Sequence, residues 1–404
     1  MIAFYFFAAV SVWIGWLSLR NGFHFRNYIK SLEDKEEPDF TPFASVIAPC
    51  RGADHDLYTN ICALLRQQYP AYQVVFVTDR ADDPSVTVIE RAMREIHGRQ
   101  HPTVRLVVAG DAVDCGQKVH NLRFAIGAVA SETEVLVFVD TDAQPKADWL
   151  RSLVAPLIDD RWGATTGYRW FIPLAGGLAS HVRSVWNASI ASALGARGER
   201  NFCWGGSTAI RKQLFAELRI ADYWQGAVSD DFTITRVLKE KKLPIRFVPR
   251  CLVPSFDSCS FLELLEFSNR QLKITRTYAP HLWRPLLLGS LLFSAVFFGG
   301  LAMTITSSIR GNFDWVVGVS LLIIFLLGTI KSYVRLRAVS LVLDAPTTVF
   351  RRSTLPHLLL WPIASLLFLL NCVVAVWSKR IEWRGITYQL KSANEAVIIT
   401  RKST

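Results

Sequence analysis

Asp140-Thr141-Asp142 follows Val135–Val139, an apolar run reading VLVFV. Such a run suits a strand buried on both faces, as in a parallel sheet. Two carboxylates with one spacer, just past its carboxyl end, aim charge into the crevice where open α/β sheets bind ligands. As hard oxygen donors they suit Mg2+ or Mn2+ bridging a nucleotide diphosphate. For an isolated pair the plain alternative is a solvated Asp-rich turn. Asp79 ends a second apolar run, Tyr72–Thr78, where its carboxylate could accept from a base N–H or a ribose hydroxyl. Much later Ser229-Asp230-Asp231 precedes a helical pattern over Phe232–Lys239. Capping and the helix dipole both favour a carboxylate there, so Asp230 reads either as a cap or as part of a catalytic pair. Asp231 reads as a general base, the group an inverting transfer needs beside an acceptor hydroxyl.

Positioning these groups takes strands and helices in alternation, and that pattern runs from about Thr41 to about Pro254. It is the mark of an α/β domain. Ala44–Ala48 is a short buried-type strand, and Leu57–Gln68 is a helix stopped near Tyr69-Pro70. Tyr72–Thr78 and Val104–Val108 are further strands, Gly116 opens a helix over about Lys118 to Ala130, and Val135–Val139 is the fourth strand. Ser31–Thr41, with its EDKEEPD run, reads as a solvated linker.

Outside this region the chain is apolar. Ile2–Leu19 is long enough to cross a bilayer and lacks a basic leading region and a small-residue cleavage site, which predicts a retained anchor. Arg20, Arg26 and Lys30 then place the next segment in the cytoplasm. Pro285–Ile309 and Trp315–Ile330 form an apolar hairpin around Arg310-Gly311-Asn312, and Leu355–Trp377 is a further apolar stretch carrying Pro356 and Pro362. Lys331, Arg335, Arg337, Arg351 and Arg352 argue for a cytoplasmic loop before that stretch, and Lys379, Arg380, Arg384 and Lys391 for a cytoplasmic tail after it. Both hold if Leu355–Trp377 is re-entrant or interfacial, with protein shielding the proline-broken backbone. The expected organisation is an anchor over 1–20, a linker over 21–40, the α/β domain over 41–260, an amphipathic interfacial helix over 261–284, a membrane region over 285–378 and a tail over 379–404 that packs back on the domain.

The net charge of +11 does not point to nucleic acid, because much of the excess flanks the apolar segments, where it suits anionic headgroups. The seven cysteines show no Cys-x-x-Cys pairing, which argues against a disulfide framework or a zinc site and for reduced thiols. A polytopic transporter is disfavoured by few apolar segments without intramembrane charge pairs.

With these pieces placed, the chain resembles the glycosyltransferase family 2 superfamily, closest to ceramide glucosyltransferase-like membrane enzymes of family 21. The resemblance rests on Ser45-Val46-Ile47-Ala48-Pro49-Cys50-Arg51-Gly52, Val77-Thr78-Asp79, Gly116-Gln117-Lys118-Val119-His120-Asn121-Leu122, Asp140-Thr141-Asp142, Trp204-Gly205-Gly206-Ser207, Ser229-Asp230-Asp231 and Trp383-Arg384-Gly385-Ile386-Thr387-Tyr388-Gln389-Leu390. Each fragment alone is weak; seven in the family's order are specific. The resemblance implies a nucleotide-sugar-binding fold of the GT-A type, a UDP-sugar donor, a divalent ion (Mn2+ or Mg2+), a membrane-lipid acceptor and a catalytic domain on the cytosolic face of a bacterial inner membrane or a Golgi/ER-type membrane. It further implies donor binding by Arg51, Asp79, Lys118 and Asp140, metal binding by Asp140 and Asp142, catalysis by Asp231 with Asp230, and an acceptor-side turn at Trp204, Gly205 and Gly206.

One departure stands out. Family members usually carry Gln/Arg-x-x-Arg-Trp on a helix at the membrane surface, and the corresponding segment here is Arg270-Gln271-Leu272-Lys273-Ile274. Lys for Arg loses the planar fork that grips phosphate, and Ile for Trp removes an aromatic surface for acceptor or sugar. Arg270, Gln271 and Lys273 remain candidates for acceptor or diphosphate contacts. The Trp loss also argues against processive polysaccharide synthesis, which stays open beside a polyprenyl-phosphate-directed transferase and a catalytically impaired lipid-binding homologue.

Overall fold

The computed structural model describes residues 2–33, 35–95, 102–142, 144–174, 176–343 and 345–402. The chain divides into two units, one of Met1–Glu33, Phe171–Ala193 and Phe256–Ser378, the other of Asp34–Trp170, Leu194–Ser255 and Lys379–Thr404.

The second unit is built on a seven-stranded sheet. Its strands are β1 (Ala44–Pro49), β2 (Tyr72–Thr78), β3 (Thr103–Val108), β4 (Val135–Phe138), β5 (Ala164–Ile172), β6 (Thr208–Arg211) and β7 (Ile245–Phe256), in the order β3-β2-β1-β4-β6-β5-β7. The first four pair in parallel, whereas β6 runs antiparallel to both β4 and β5. The parallel pairing suggested by the VLVFV run holds on the β1 side of β4, and β6 on its other side is antiparallel. Burial on both faces is what the apolar run encodes, and covering both faces satisfies it whichever way the neighbouring strand points. Helices Gln117–Ile126 and Asp230–Glu240 cover one face, where Val119, Leu122, Phe138, Trp224, Ile234 and Val237 share a core. Strand order reverses across β1, which has β2 on one side and β4 on the other, so Arg51, Asp79 and Asp140 all leave carboxyl ends next to this switch point.

A second sheet of three antiparallel strands, β8 (Arg380–Trp383), β9 (Ile386–Ser392) and β10 (Glu395–Arg401), completes this unit. The Gln117 N–H donates to the Tyr388 hydroxyl at 3.1 Å, and Arg401 reaches Gln117 Oε1 at 2.8 Å and Asp111 at 2.9 Å. Arg384 grips Asp54 through both guanidinium nitrogens.

The first unit is helical. Among the described residues three helices are long and apolar enough to cross a membrane: Ile2–Glu33, Pro280–Ile309 and Trp315–Val339. The first continues past residue 20 to Glu33, so residues expected in a linker are helical; no proline interrupts it, and Gly22, Phe25 and Ile29 form a buried stripe at helical spacing. Leu355–Trp377 is divided at Leu360 between helices Thr347–Leu359 and Trp361–Trp377. The two are bent by 66°, a form shared by broken spans and re-entrant loops. Pro362 sits in the first turn of the second helix, where its missing N–H costs no bond. The Phe261–Tyr278 helix opens with a capping box between Ser260 and Glu263. Its Leu264 and Leu272 pack with Trp186, Leu367 and Phe368, while Phe261 and Leu262 in its first turn stay exposed.

Candidate active site

Carboxylates and cations interlock at the carboxyl ends of β1, β2 and β4. Arg51 pairs with Asp79, whose side chain is 3% exposed and whose second oxygen, Oδ1, is buried with no partner. A buried acceptor left without a donor is costly, and a ligand N–H or hydroxyl relieves that cost. Asp83 braces the same turn by accepting the Gly52 N–H at 3.0 Å.

Lys118 lies in the first turn of the Gln117–Ile126 helix, which the tail contacts at Gln117. Its ammonium stands 2.7 Å from Asp140 Oδ1 and 3.1 Å from Asp230 Oδ1. Burial alone would lower its pKa, but Asp140, Asp230 and Asp231 outweigh burial and keep it charged. Asp230 is buried, with Oδ2 unpartnered. Burial raises its carboxyl to about 6, with Asp231 and Asp140 adding to the shift and Lys118 opposing it.

The helix cap is neither of the two aspartates. Ser229 occupies the N-cap position and accepts the Phe232 N–H, while Asp230 and Asp231 form the first turn. Asp230 is thereby released for Lys118. Asp231, only half-buried, accepts from Phe232 N at 2.7 Å, from the Ser229 hydroxyl, and from Gly205 N at 3.3 Å. The Trp204-Gly205-Gly206 turn presses close here. A Cβ on Gly205 would collide with Asp230 Oδ2 and fall 2.6 Å from Lys118 Nζ, and one on Gly206 would run into the Trp204 ring. The Trp204 ring lies against Arg169, whose guanidinium carbon is 5.0 Å from the ring centroid.

Arg169 was not among the residues singled out in the sequence. It leaves β5 and bridges the acidic pair, at 3.4 Å from Asp140 and 2.8 Å from Asp142. Burial pushes the Asp142 carboxyl up, but Arg169 more than reverses this and holds it below the usual carboxylate range. Among the described residues no group of three or more His, Cys, Asp and Glu converges. Asp140 and Asp142 supply hard oxygens that fit a divalent ion drawing its remaining oxygens from a diphosphate and water. Asp142, 38% exposed, keeps the open side such an ion requires.

Arg270, Gln271 and Lys273 belong to the helical unit. Arg270 lies over Phe267 at 5.8 Å, Gln271 accepts the Thr275 hydroxyl through its carbonyl, and Lys273 reaches Ser378 Oγ at 3.5 Å. Ile274, at the position usually held by Trp, is buried.

The family model described as Glycosyl transferase family 21 matches residues 3–396. The chain belongs to that family. Among curated relatives, ceramide glucosyltransferase 1 of Caenorhabditis elegans is 30% identical over 97 residues, 23% of this chain and 20% of the relative. Ceramide glucosyltransferase 3 of the same organism is 30% identical over 89 residues, 22% of this chain and 18% of the relative. The matched segments thus span about a fifth of either relative. Among solved structures, the mannosyltransferase PcManGT from Pyrobaculum calidifontis, in complex with GDP-Man and Mn2+, is 15% identical with a TM-score of 0.48, covering 92% of this chain and 99% of that one. Glucosyl-3-phosphoglycerate synthase from Mycobacterium tuberculosis, solved with Mn2+ and UDP-glucose, is 14% identical with a TM-score of 0.37, covering 57% and 77%.

In this family 21 chain, then, the motif residues Lys118, Asp140, Trp204, Gly205, Gly206, Asp230 and Asp231 lie together, Asp142 is tied to Asp140 through Arg169, and Arg51 and Asp79 pair at the neighbouring strand ends. Arg169 gave no signal in the sequence beyond its place between two aromatics, Tyr168 and Trp170.

Proposed function

We propose that this chain is an inverting, GT-A-type hexosyltransferase that moves a hexose, glucose by the preference of its family, from a UDP-sugar to the hydroxyl of a membrane lipid at the cytosolic face. The observation that carries the reading is the unequal pair Asp230 and Asp231. Two adjacent carboxylates sit in different surroundings, one buried against Lys118 and one half-buried beside a glycine turn, and such inequality divides roles between them.

Asp79 accepts from the uracil or ribose through its unpartnered oxygen, and Arg51 holds it in place. Asp140 and Asp142 hold Mn2+ or Mg2+, which when bound neutralises the diphosphate. Arg169 bridges both carboxylates and favours the ionised form of Asp142, and Lys118 contributes positive charge beside Asp140. The lipid hydroxyl reaches the Gly205-Gly206 turn, where the missing side chains leave room beside Asp231. The hydroxyl oxygen attacks the anomeric carbon as its proton passes to Asp231, and the bond to the diphosphate breaks with its electron pair leaving on UDP. An α-linked donor then gives a β-glycoside. Arg270, Gln271 and Lys273, on the helical unit, are assigned to polar groups of the membrane lipid. Ceramide, diacylglycerol and sterol-like lipids all present a suitable hydroxyl.

The test is transfer of label from UDP-glucose and UDP-galactose into extractable lipid, using membranes that contain this chain or its Asp231→Asn variant, with Mn2+ or Mg2+ added. A labelled lipid made only by the intact chain supports the reading. UDP binding without transfer from either donor into a varied lipid supply would overturn it.

A further inference from the structure

The helical unit holds a second charged site, independent of the transfer just described. A cavity of about 280 Å³ is walled mainly by apolar side chains, among them Phe293, Leu327 and Trp361. Two cations line it, Lys331 and Arg335, one turn apart on the Trp315–Val339 helix. Arg335 is 2% exposed, so it does not reach outward to a headgroup layer as cations near helix ends usually do. Its Nη1 donates to Ser189 Oγ at 3.2 Å, and its Nε is buried with no partner among the described residues. Lys331 donates to Ser18 Oγ at 2.7 Å. Among the described residues neither cation has a carboxylate within 4.0 Å; each is met only by a neutral hydroxyl.

Like charges one turn apart repel, and a charge inside an apolar helical unit is costly without a counter-ion. An anion in the cavity removes both penalties. Arginine's planar fork, with a free Nε, matches two oxygens of a phosphate, and a lysine one turn away adds a point charge. The apolar walls favour an anion that arrives attached to hydrocarbon. The volume suits a phosphate group and the first part of its chains, not an entire lipid.

We propose that this cavity binds the phosphate group of an anionic membrane lipid through Lys331 and Arg335. The site is separate from the donor residues, so it stands whether or not the transfer reaction is as described above.

The experiment uses the full chain purified in mild detergent and placed in nanodiscs of phosphatidylcholine alone or with added phosphatidylglycerol. Lipid retained by the protein is counted by native mass spectrometry, and thermal stability is measured in parallel. Wild type is expected to retain phosphatidylglycerol over phosphatidylcholine and to be stabilised by it. The double variant Lys331→Gln/Arg335→Gln is expected to lose about tenfold in that preference, the effect of forfeiting a charge-assisted contact. Gly289→Leu provides a second reading that keeps both cations. Gly289 lines the cavity with nothing within 4 Å of an added Cβ, so a leucine there fills space without a clash and is expected to displace the lipid. UDP binding, measured on every variant, shows that the chain remains folded. Equal retention of both lipids by wild type and variants overturns the proposal. So does protection by inorganic phosphate in phosphatidylcholine discs equal to that by phosphatidylglycerol, which would assign the site to free phosphate.

Discussion

Each unit withdraws a lysine and an arginine at least partly from solvent, and the two pairs are treated in opposite ways. In the sheet unit Lys118 lies between Asp140 and Asp230, and Arg169 bridges Asp140 and Asp142. In the helical unit, among the described residues, Lys331 and Arg335 meet only serine hydroxyls. A cation matched by carboxylates is held in a fixed position by them. A buried cation without a carboxylate is a charge waiting for a partner from outside the chain. The same residue types are therefore framework in one place and receptor in the other.

Removing the proton acceptor from the charge-matched site has the largest expected effect. Asp231→Asn should lower turnover by about 10²–10⁴-fold while leaving UDP affinity nearly unchanged. A variant that loses UDP binding in proportion would instead make Asp231 a structural anchor for Gly205.

Breaking the matched pair comes next. Lys118→Met leaves Asp230 buried and uncompensated, and should destabilise the protein by about 3–5 kcal/mol in thermal or denaturant unfolding. Asp230→Asn in the same chain should recover much of that loss. Gly205→Ala forces a methyl against Asp230 Oδ2 and Lys118 Nζ and should cost about 1–3 kcal/mol.

The pH dependence sharpens the same contrast. Asp230, raised to about 6, ionises above that value, so its ion pair with Lys118 is intact above pH 6 and is lost as pH falls. If that pair positions Lys118, kcat/KM falls below about pH 6, and Asp230→Asn flattens this limb of the profile. Stability has the opposite sign. A raised carboxyl contributes stability that is full below its ordinary value of 3.8 and is lost as pH rises through about 6. Asp230→Asn should therefore compare better with wild type at pH 7 than at pH 4, measured by thermal unfolding. The smallest effect belongs to the unmatched pair. Arg335→Met in phospholipid-free detergent should leave stability within about 1 kcal/mol of wild type or raise it, since it removes an uncompensated charge. A loss as large as that of Lys118→Met would break the comparison.

Much of this was legible in the residues. The parallel strands β1, β2 and β4 announced themselves as short, mostly apolar runs ending at Pro or Asp, because strands covered on both faces are predominantly apolar. Asp79, Asp140 and Asp231 could be named because short polar motifs at strand and helix ends are local in sequence. The antiparallel β6 was not legible, since four residues, Thr208–Arg211, carry too little pattern to separate strand from loop. Nor was the capping role of Ser229 against Asp230, because adjacent residues with similar caps are told apart only by backbone geometry.

Sequence by itself determined the family, the apolar helices and the identity of the acidic residues, all of which come from runs and motifs within a few residues of one another. Only the tertiary structure decided which cation meets which carboxylate. Arg169 comes 27 residues after Asp142 and Arg401 comes 284 after Gln117, and separations of that kind close only through the fold. It decided also that Arg335 is buried and Lys331 half-buried with no carboxylate partner among the described residues, because charge matching depends on what the neighbouring helices present, which no periodicity along one helix contains.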